Sequence, residues 1–323
     1  MTTDLRITPT DTAITTPAET VHTETRRLLD AAVAPNTRRA HRAHWRHFTD
    51  WCAAHGVSPL PAAPETVSAY LTLAAGVLAV STLEHRLATV AKAHGAAGFP
   101  NPVTHELIRT QMRGIRRTYG IAPRQKTPAL VVDLRAMLDV LPHTLIGVRD
   151  RALLLLGFAT AARRSELVTL DVADLAFTAN GLIVTVRRSK TDQTGIGAQK
   201  GVHHGRHPET CPVGALRAWL EAAAITHGPV FRAVDRHGNI SASRLGDRAV
   251  ALAIKRAAEA AGLDPAGFAG HSLRAGLATQ AAMNGEAERA IMRQTGHRSV
   301  QMVRRYIRQG TVFEENVTGR IGL

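Results

Sequence analysis

Apolar residues recur with a helical period along almost all of this 323-residue chain, and helix start and stop signals bracket the periodic stretches. That pattern confines the chain to a mainly α fold. In NTRRAHRAHWRHFTDWCAAHG, Trp45, Phe48 and Cys52 share one face at i, i+3 and i+7; Asn36 reads as the N-cap and Gly56 as the stop. Three more helices follow, in ETVSAYLTLAAGV after Pro64, in STLEHRLATVAKAHG with its Ser/Thr cap, and in THELIRTQMRGIRRTYG. Residues 21–120 therefore read as an all-helical domain with basic outer faces. Residues 1–20 are Thr-rich and polar, without the apolar core of a signal peptide, and read as a flexible tail. IAPRQKTPA then carries two prolines and no period, so residues 121–128 read as an exposed linker.

A second domain, residues 129–323, opens with helical patterns in VVDLRAMLDVLP and GVRDRALLLLGFATAARRSELVTL. One segment changes period. GLIVTVRRSK is β-branched and alternating, TDQTGIGAQKG is turn chemistry, and a return strand near Val202 completes a hairpin. Helices resume in PVGALRAWLEAAA, SRLGDRAVALAIKRAAEAAG, HSLRAGLATQAAMNG, EAERAIMRQTG and SVQMVRRYIRQ. In the last of these Val300, Val303 and Ile307 form the packing stripe, with Tyr306 beside it. Trp45, Trp51 and Trp219 lie at helical spacing and read as core residues.

Charge narrows the class of partner. The net charge is +14 and the sequence pI about 11.1, which points to polyanions, with nucleic acid first. Thirty-five of the 40 basic residues are arginine, whose planar fork grips phosphate oxygens in pairs. Arg38, Arg39, Arg42, Arg113, Arg116, Arg117, Arg124 and Lys126 are the candidate DNA contacts, with a solvated charged surface as the alternative for each. Two cysteines, Cys52 and Cys211, give no disulfide framework and fit a reducing cytoplasm, and no apolar run reaches the length of a membrane span. His203, His204, His207 and Cys211 cluster in HHGRHPETC, but at a spacing that fits no standard zinc site.

Several polar residues stand where a helical pattern does not require them. Arg163 opens a helix after an apolar run, with Glu166 behind it. His271 and Arg274 sit at i, i+3 near a helix N-terminus, where free N–H groups favour an anion. His297 follows a Gly turn, and Tyr306 lies nine residues further on. Each alone reads as a surface charge, a local hydrogen bond or a core-edge ring.

Together, TAARRSELVTL, RRSKTDQ, CPVGALRAWL, GHSLRAGLAT and GHRSVQMVRRYIR resemble successive boxes of the tyrosine recombinase (phage integrase) family, and NTRRAHRAHWRHFTDWC resembles the opening helix of its core-binding domain. The resemblance covers most of the chain and is nearest to Cre- and Xer-like members. It implies a SAM-like, all-helical core-binding domain and a mixed, mainly α catalytic domain with a small β-hairpin. It also implies roles. Tyr306 matches the nucleophile. Arg163 and Arg274 match the pair that holds the scissile phosphate. Lys190 matches the hairpin lysine that protonates the departing 5′ oxygen, with Lys200 as a rival that lacks the SKT context. His271 matches the histidine that assists proton transfer, His297 the phosphate hydrogen-bonding position, and Glu166 an orienting acid behind them. The family's chemistry joins DNA to the tyrosine as a 3′-phosphotyrosyl link and passes through a Holliday junction, with no ATP, metal or other cofactor. The implied assembly is a homo-tetramer on two double-stranded DNA sites, a monomer or weak oligomer without DNA, with accessory proteins in some systems and no membrane. Residues 309–323 match the family's C-terminal assembly tail. Where many relatives carry Gly two residues before the first arginine, this chain has Ala161. The two other readings are a DNA-binding accessory protein with an unused site and a type IB topoisomerase-like DNA relaxing enzyme.

Overall fold

The computed structural model describes residues 17–121, 126–189, 192, 194–310, 318 and 321. The chain divides into two compact units, Met1–Arg124 and Gln125–Leu323. Helix is the dominant element in both, as the periodicity predicts.

The first unit holds α1 (Pro17–Ala31), α2 (Pro35–Ala54), α3 (Pro64–Ala74), α4 (Val80–Ala96) and α5 (Glu106–Tyr119). Phe48 and Cys52 of α2, Tyr70 and Leu71 of α3, Leu83 and Val90 of α4, and Ile108 and Met112 of α5 form its core. Asn36 is not the cap of α2. Ala34 is, because Pro35 takes N1, where its fixed φ suits the first turn and its missing N–H costs nothing. In the same way α4 begins at Val80, with Ala79 as cap in place of the Ser/Thr pair. Gly56 stands at φ +64° just past the end of α2, as its sequence position suggests. Arg86 is buried and donates to the Tyr70 hydroxyl at 2.5 Å, so part of the basic charge expected on outer faces is turned inward.

The second unit opens with α6 (Val131–Asp139), α7 (Leu145–Ala159) and α8 (Arg164–Val168). It continues with β1 (Leu175–Thr178), β2 (Gly181–Val186), β3 (Ala198–His203) and α9 (Pro212–Ala222). A second pair of strands, β4 (Arg232–Val234) and β5 (Ile240–Arg244), precedes α10 (Asp247–Ala260), α11 (Ser272–Met283), α12 (Glu288–Thr295) and α13 (Val300–Gly310). β1, β2 and β3 form one antiparallel sheet in that order, and β4 and β5 a separate antiparallel pair. The hairpin of β2 and β3 is the expected one; β1, β4 and β5 are too short, at three to five residues, to show a period of two. α7 is mostly apolar, with Ala152–Leu156 all buried and its Arg149 and Asp150 buried as an ion pair, and so runs through the core. Trp219 is fully buried against it and donates its indole N–H to the Val230 carbonyl at 2.8 Å.

The segment entering this unit lies along α11. The Thr127 N–H donates to the Gly267 carbonyl, the Ala129 N–H to the Ser272 carbonyl, and the Val131 N–H to Gln280 Oε1. Such close backbone approach requires Gly276, where an added Cβ would stand 1.8 Å from the Ala129 carbonyl oxygen. Gly276→Ala gains about 1 kcal/mol of helix propensity but overpacks against backbone, which cannot rotate away, at a cost of about 3 kcal/mol. The expected net loss lowers the melting temperature of this unit by roughly 5 °C in a thermal scan; an unchanged midpoint would show that the segment yields. Among the described residues no helix is long and apolar enough to cross a membrane.

Candidate active site

The turn between α7 and α8 is where the site begins. α7 ends at Ala159 with Thr160 as its cap, and Ala161 then takes φ +47°, the left-handed conformation that a glycine would adopt freely. For alanine this costs about 1 kcal/mol or more. The turn swings the chain so that Arg163 becomes the cap of α8, half-buried, at the mouth of the unit. Glu166, only 4% exposed, holds it twice: one carboxylate oxygen accepts from the Arg163 backbone N–H at 2.9 Å, and the other pairs with its guanidinium. The expected orienting acid is thus in direct contact with Arg163.

α11 contributes the next two groups. His271 caps it, and Arg274 lies one turn on, 1% exposed. Arg274 Nη1 donates to the Ala161 carbonyl at 2.8 Å, while its Nε and Nη2 have no protein partner. Burial foremost, and then the charge of Arg163, push the Arg274 pKa down to about 10. A guanidinium buried with two unsatisfied donors is costly in isolation and is what a bound anion would relieve.

α13 brings Tyr306. Here the structure corrects the helical-wheel reading: Val303 and Tyr306 form the inner face, while Val300, placed in the stripe, is exposed. Tyr306 is 7% exposed and packs with Ala275, Ala278, Ala282, Ile291 and Val303. Its hydroxyl lies 2.9 Å from His271 Nε2. Burial raises the Tyr306 pKa, with Arg274 and Arg305 opposing. His271 is open along one side, yet desolvation of its ring, with Arg274 and then Arg163 repelling a proton, lowers its pKa. It is therefore neutral at pH 7.

His297 follows Gly296, whose left-handed backbone (φ +68°) closes α12 and turns the chain. Its ring centroid is 5.7 Å from that of Tyr306. The Thr295 hydroxyl donates to the Ile291 carbonyl at 2.7 Å, so it accepts from His297 Nδ1 at 2.8 Å. That assigns the neutral ring with its Nε2 unprotonated. Burial first, then Arg274, Arg163, His271 and Lys200, push the His297 pKa down to about 4.

Arg163, Glu166, His271, Arg274, His297 and Tyr306 are thus brought together by α8, α11, the turn after α12, and α13. Lys190 and Arg124 fall outside the described residues, as does most of the 309–323 tail. Among the described residues of the hairpin, Lys200 on β3, the rival candidate to Lys190, is turned inward. Its ammonium donates to the Thr160 carbonyl at 2.6 Å. Gln294, which no motif flagged, donates to the Ala159 carbonyl beside it. Of the candidate DNA contacts, Arg38 is half-buried, Arg39, Arg42 and Arg117 are exposed, Arg113 pairs with Glu106, and Arg116 pairs with Glu84. Those two pairs are solvent-exposed and worth little to stability. Lys126 donates to the Ala266 carbonyl. His203, His204 and His207 are exposed, whereas the Cys211 sulfur accepts from the Gly205 and Gly214 N–H groups at the start of α9.

A basic chain with a mainly helical unit that sets a buried tyrosine among two arginines and two histidines has the makings of a phosphoryl-transfer catalyst. Comparison with known proteins is specific. The phage integrase family matches residues 132–311. An integrase/recombinase XerD homolog of Selenomonas ruminantium is 41% identical over 94% of this chain and 90% of its own length. Recombinase Cre of Escherichia phage P1 is 26% identical over 81% of each chain. In fold, the chain is similar to the XerH site-specific recombinase in the crystal structure of its post-cleavage complex with palindromic difH substrate, with a TM-score of 0.59, 17% identity, and coverage of 80% of this chain and 71% of that one. The chain belongs to the phage integrase family, the tyrosine-type site-specific recombinases.

Proposed function

We propose that this protein cleaves and rejoins double-stranded DNA at a specific site, with Tyr306 as the nucleophile and a 3′-phosphotyrosyl intermediate. The observation that carries this reading is a buried Arg274 with two unpartnered guanidinium nitrogens, beside a tyrosine hydroxyl 2.9 Å from a mostly neutral histidine. A guanidinium short of partners thus stands with a tyrosine hydroxyl that is hydrogen-bonded to its candidate base.

The residues divide the work as follows. Arg163 and Arg274 receive the non-bridging oxygens of the scissile phosphate and offset the charge that grows in the pentacoordinate transition state. Glu166 fixes the Arg163 fork. As the Tyr306 oxygen attacks phosphorus, its proton passes to His271 Nε2. The P–O5′ bond breaks, and the departing 5′ oxygen takes a proton from Lys190, the role the family resemblance gives it. The 5′ hydroxyl of a partner strand then reverses these steps, with that hydroxyl as nucleophile and Tyr306 as leaving group. Phosphoryl energy is kept in the protein–DNA link, so the cycle consumes no ATP, and positioned cations carry the electrostatic load. His297 holds a phosphate oxygen through Nε2 once its ring is protonated. Two rounds of exchange pass through a Holliday junction in a tetramer on two sites, in the cytoplasm, with residues 309–323 as the assembly segment. The exposed arginines of the first unit supply salt-sensitive grip on the phosphate backbone.

The test uses a pool of nicked duplexes with randomised core sequence. After denaturation, DNA still bound to protein is sequenced and its attachment peptide identified by mass spectrometry. Attachment at Tyr306 through a 3′ phosphate, on a defined core sequence, is expected. No covalent complex, or attachment at another residue, overturns the proposal.

A further inference from the structure

Three consecutive carbonyls in the turn that leads to Arg163 are each clasped by a long side chain from a different element. Ala159 accepts from Gln294 Nε2 of α12 at 2.6 Å, Thr160 from Lys200 Nζ of β3 at 2.6 Å, and Ala161 from Arg274 Nη1 of α11 at 2.8 Å. Gln294 also reaches the Gly201 carbonyl, next to Lys200, which ties α12 to the same strand. The middle of this clasp lies immediately before Ala161, the residue held at φ +47°. Strained backbone of this kind persists only where its surroundings over-determine it.

Lys200 is an odd residue for its place. It lies on the inward row of β3 with Val202, paired across the ladder with Val184, and is 6% exposed. An apolar side chain would fill such a position without bringing a charge out of water. The charged groups around it are those of the site: Glu166 attracts the ammonium, and Arg274 and Arg163 repel it. His297 in turn feels its charge. Burial foremost pushes its pKa down to about 8, so it remains mostly charged at pH 7. A lysine kept in that setting, with its ammonium on a backbone carbonyl, fits a role in shaping the site.

We propose that Lys200 is a positioning residue for phosphoryl transfer, acting through the Thr160 carbonyl to hold the left-handed Ala161 turn so that Arg163 stands beside Arg274 on the phosphate. This rests on reading the site as a phosphate site, and it assigns Lys200 work distinct from that of Lys190. The mechanism makes a specific genetic demand. Glycine takes positive φ without strain, so Ala161→Gly should reduce the need for the clasp.

The experiment compares wild type, Lys200→Met, Ala161→Gly and the double variant, all as full chains, on the duplex recovered by covalent selection with the wild-type protein. Lys200→Met is expected to bind that duplex within about threefold of wild type. It should form the covalent complex about 100 times more slowly, the scale of a misplacement of about 1 Å. Adding Ala161→Gly should restore about tenfold of that rate. Gln294→Leu, at a partly exposed position, should show a smaller defect of about tenfold, also relieved by Ala161→Gly; it carries the test if Lys200→Met fails to fold by circular dichroism. Wild-type cleavage rates in both single variants, or defects that Ala161→Gly leaves untouched, overturn the proposal. Absence of covalent complex with the wild-type protein would instead overturn the reading of the site itself.

Discussion

Arg274→Gln should slow covalent complex formation by about 10³-fold, the scale on which positioned cations act on a transferring phosphoryl group, while making the DNA-free protein more stable. The second half of that outcome separates a functional arginine from a structural one. A fall in pKa from 12.5 to about 10 corresponds to about 3 kcal/mol of disfavour for the charged side chain in the empty site. Its one hydrogen bond, to the Ala161 carbonyl, returns about 1.5 kcal/mol. Glutamine removes the charge and keeps a donor for that carbonyl, so the expected gain is about 1 kcal/mol, or a rise of a few degrees in melting temperature at pH 7. Single-turnover rates and a thermal scan on the same preparation decide it. A variant that loses both activity and stability would mean that Arg274 is chiefly a structural clamp.

The same imbalance runs through the site. Arg274, Lys200, His271 and His297 all have the pKa of a cationic group lowered, foremost by burial, with the charge of Arg163 adding to it at all four and that of Arg274 at the other three. Glu166 is the carboxylate placed against them. On the proposed reading an incoming phosphate offsets this imbalance, with the cationic groups already held by backbone carbonyls and Glu166. The linkage follows in sign. The folded-state pKa of His297 lies at about 4, below its ordinary 6.5. Its contribution to stability is therefore fully present above pH 6.5 and is lost as pH falls through about 4.

How much of this was legible in the sequence depends on the kind of signal. The amphipathic helices were, because a period of 3.6 over ten or more residues is hard to mistake; β4 and β5, at three and five residues, were not. Two helix starts were misplaced, at Ala34, where proline takes N1, and at Ala79, where a plain alanine is the cap. The convergence of Arg163, Glu166, His271, Arg274, His297 and Tyr306 came from box order, which no local pattern contains. Ala161 shows the limit clearly. An alanine where glycine suits the turn looked like a departure in geometry, yet the backbone keeps positive φ, held by Arg274, Lys200 and Gln294 from three distant elements. Such tertiary over-determination leaves no trace in a window of neighbouring residues. Lys200 was visible as a rival to Lys190 across the turn, without the SKT context, but its hold on the Thr160 carbonyl left no local trace.

Tyr306→Phe should leave duplex binding within a few-fold of wild type and abolish covalent attachment, a loss on the order of 10⁴-fold or more, because the atom that bonds to phosphorus is gone. The ring stays in its pocket with Val303 and Ala278, so only the contact with His271 is lost, at about 1 kcal/mol. A fold defect therefore cannot account for the inactivity, and a melting temperature within a few degrees of wild type would confirm that. His271 supplies the matching pH test. It accepts the tyrosine proton only when neutral, and its pKa lies below 6.5 for the reasons of burial and the neighbouring arginines. The second-order cleavage rate, which reports the free protein, should thus fall with an acid limb centred below 6.5, as His271 takes up its proton. His271→Ala should reduce that rate by about 10²-fold or more and flatten the acid limb. An acid limb centred above 6.5, or one that survives His271→Ala, would place the base elsewhere, while covalent DNA on Tyr306→Phe would remove the tyrosine from the chemistry altogether.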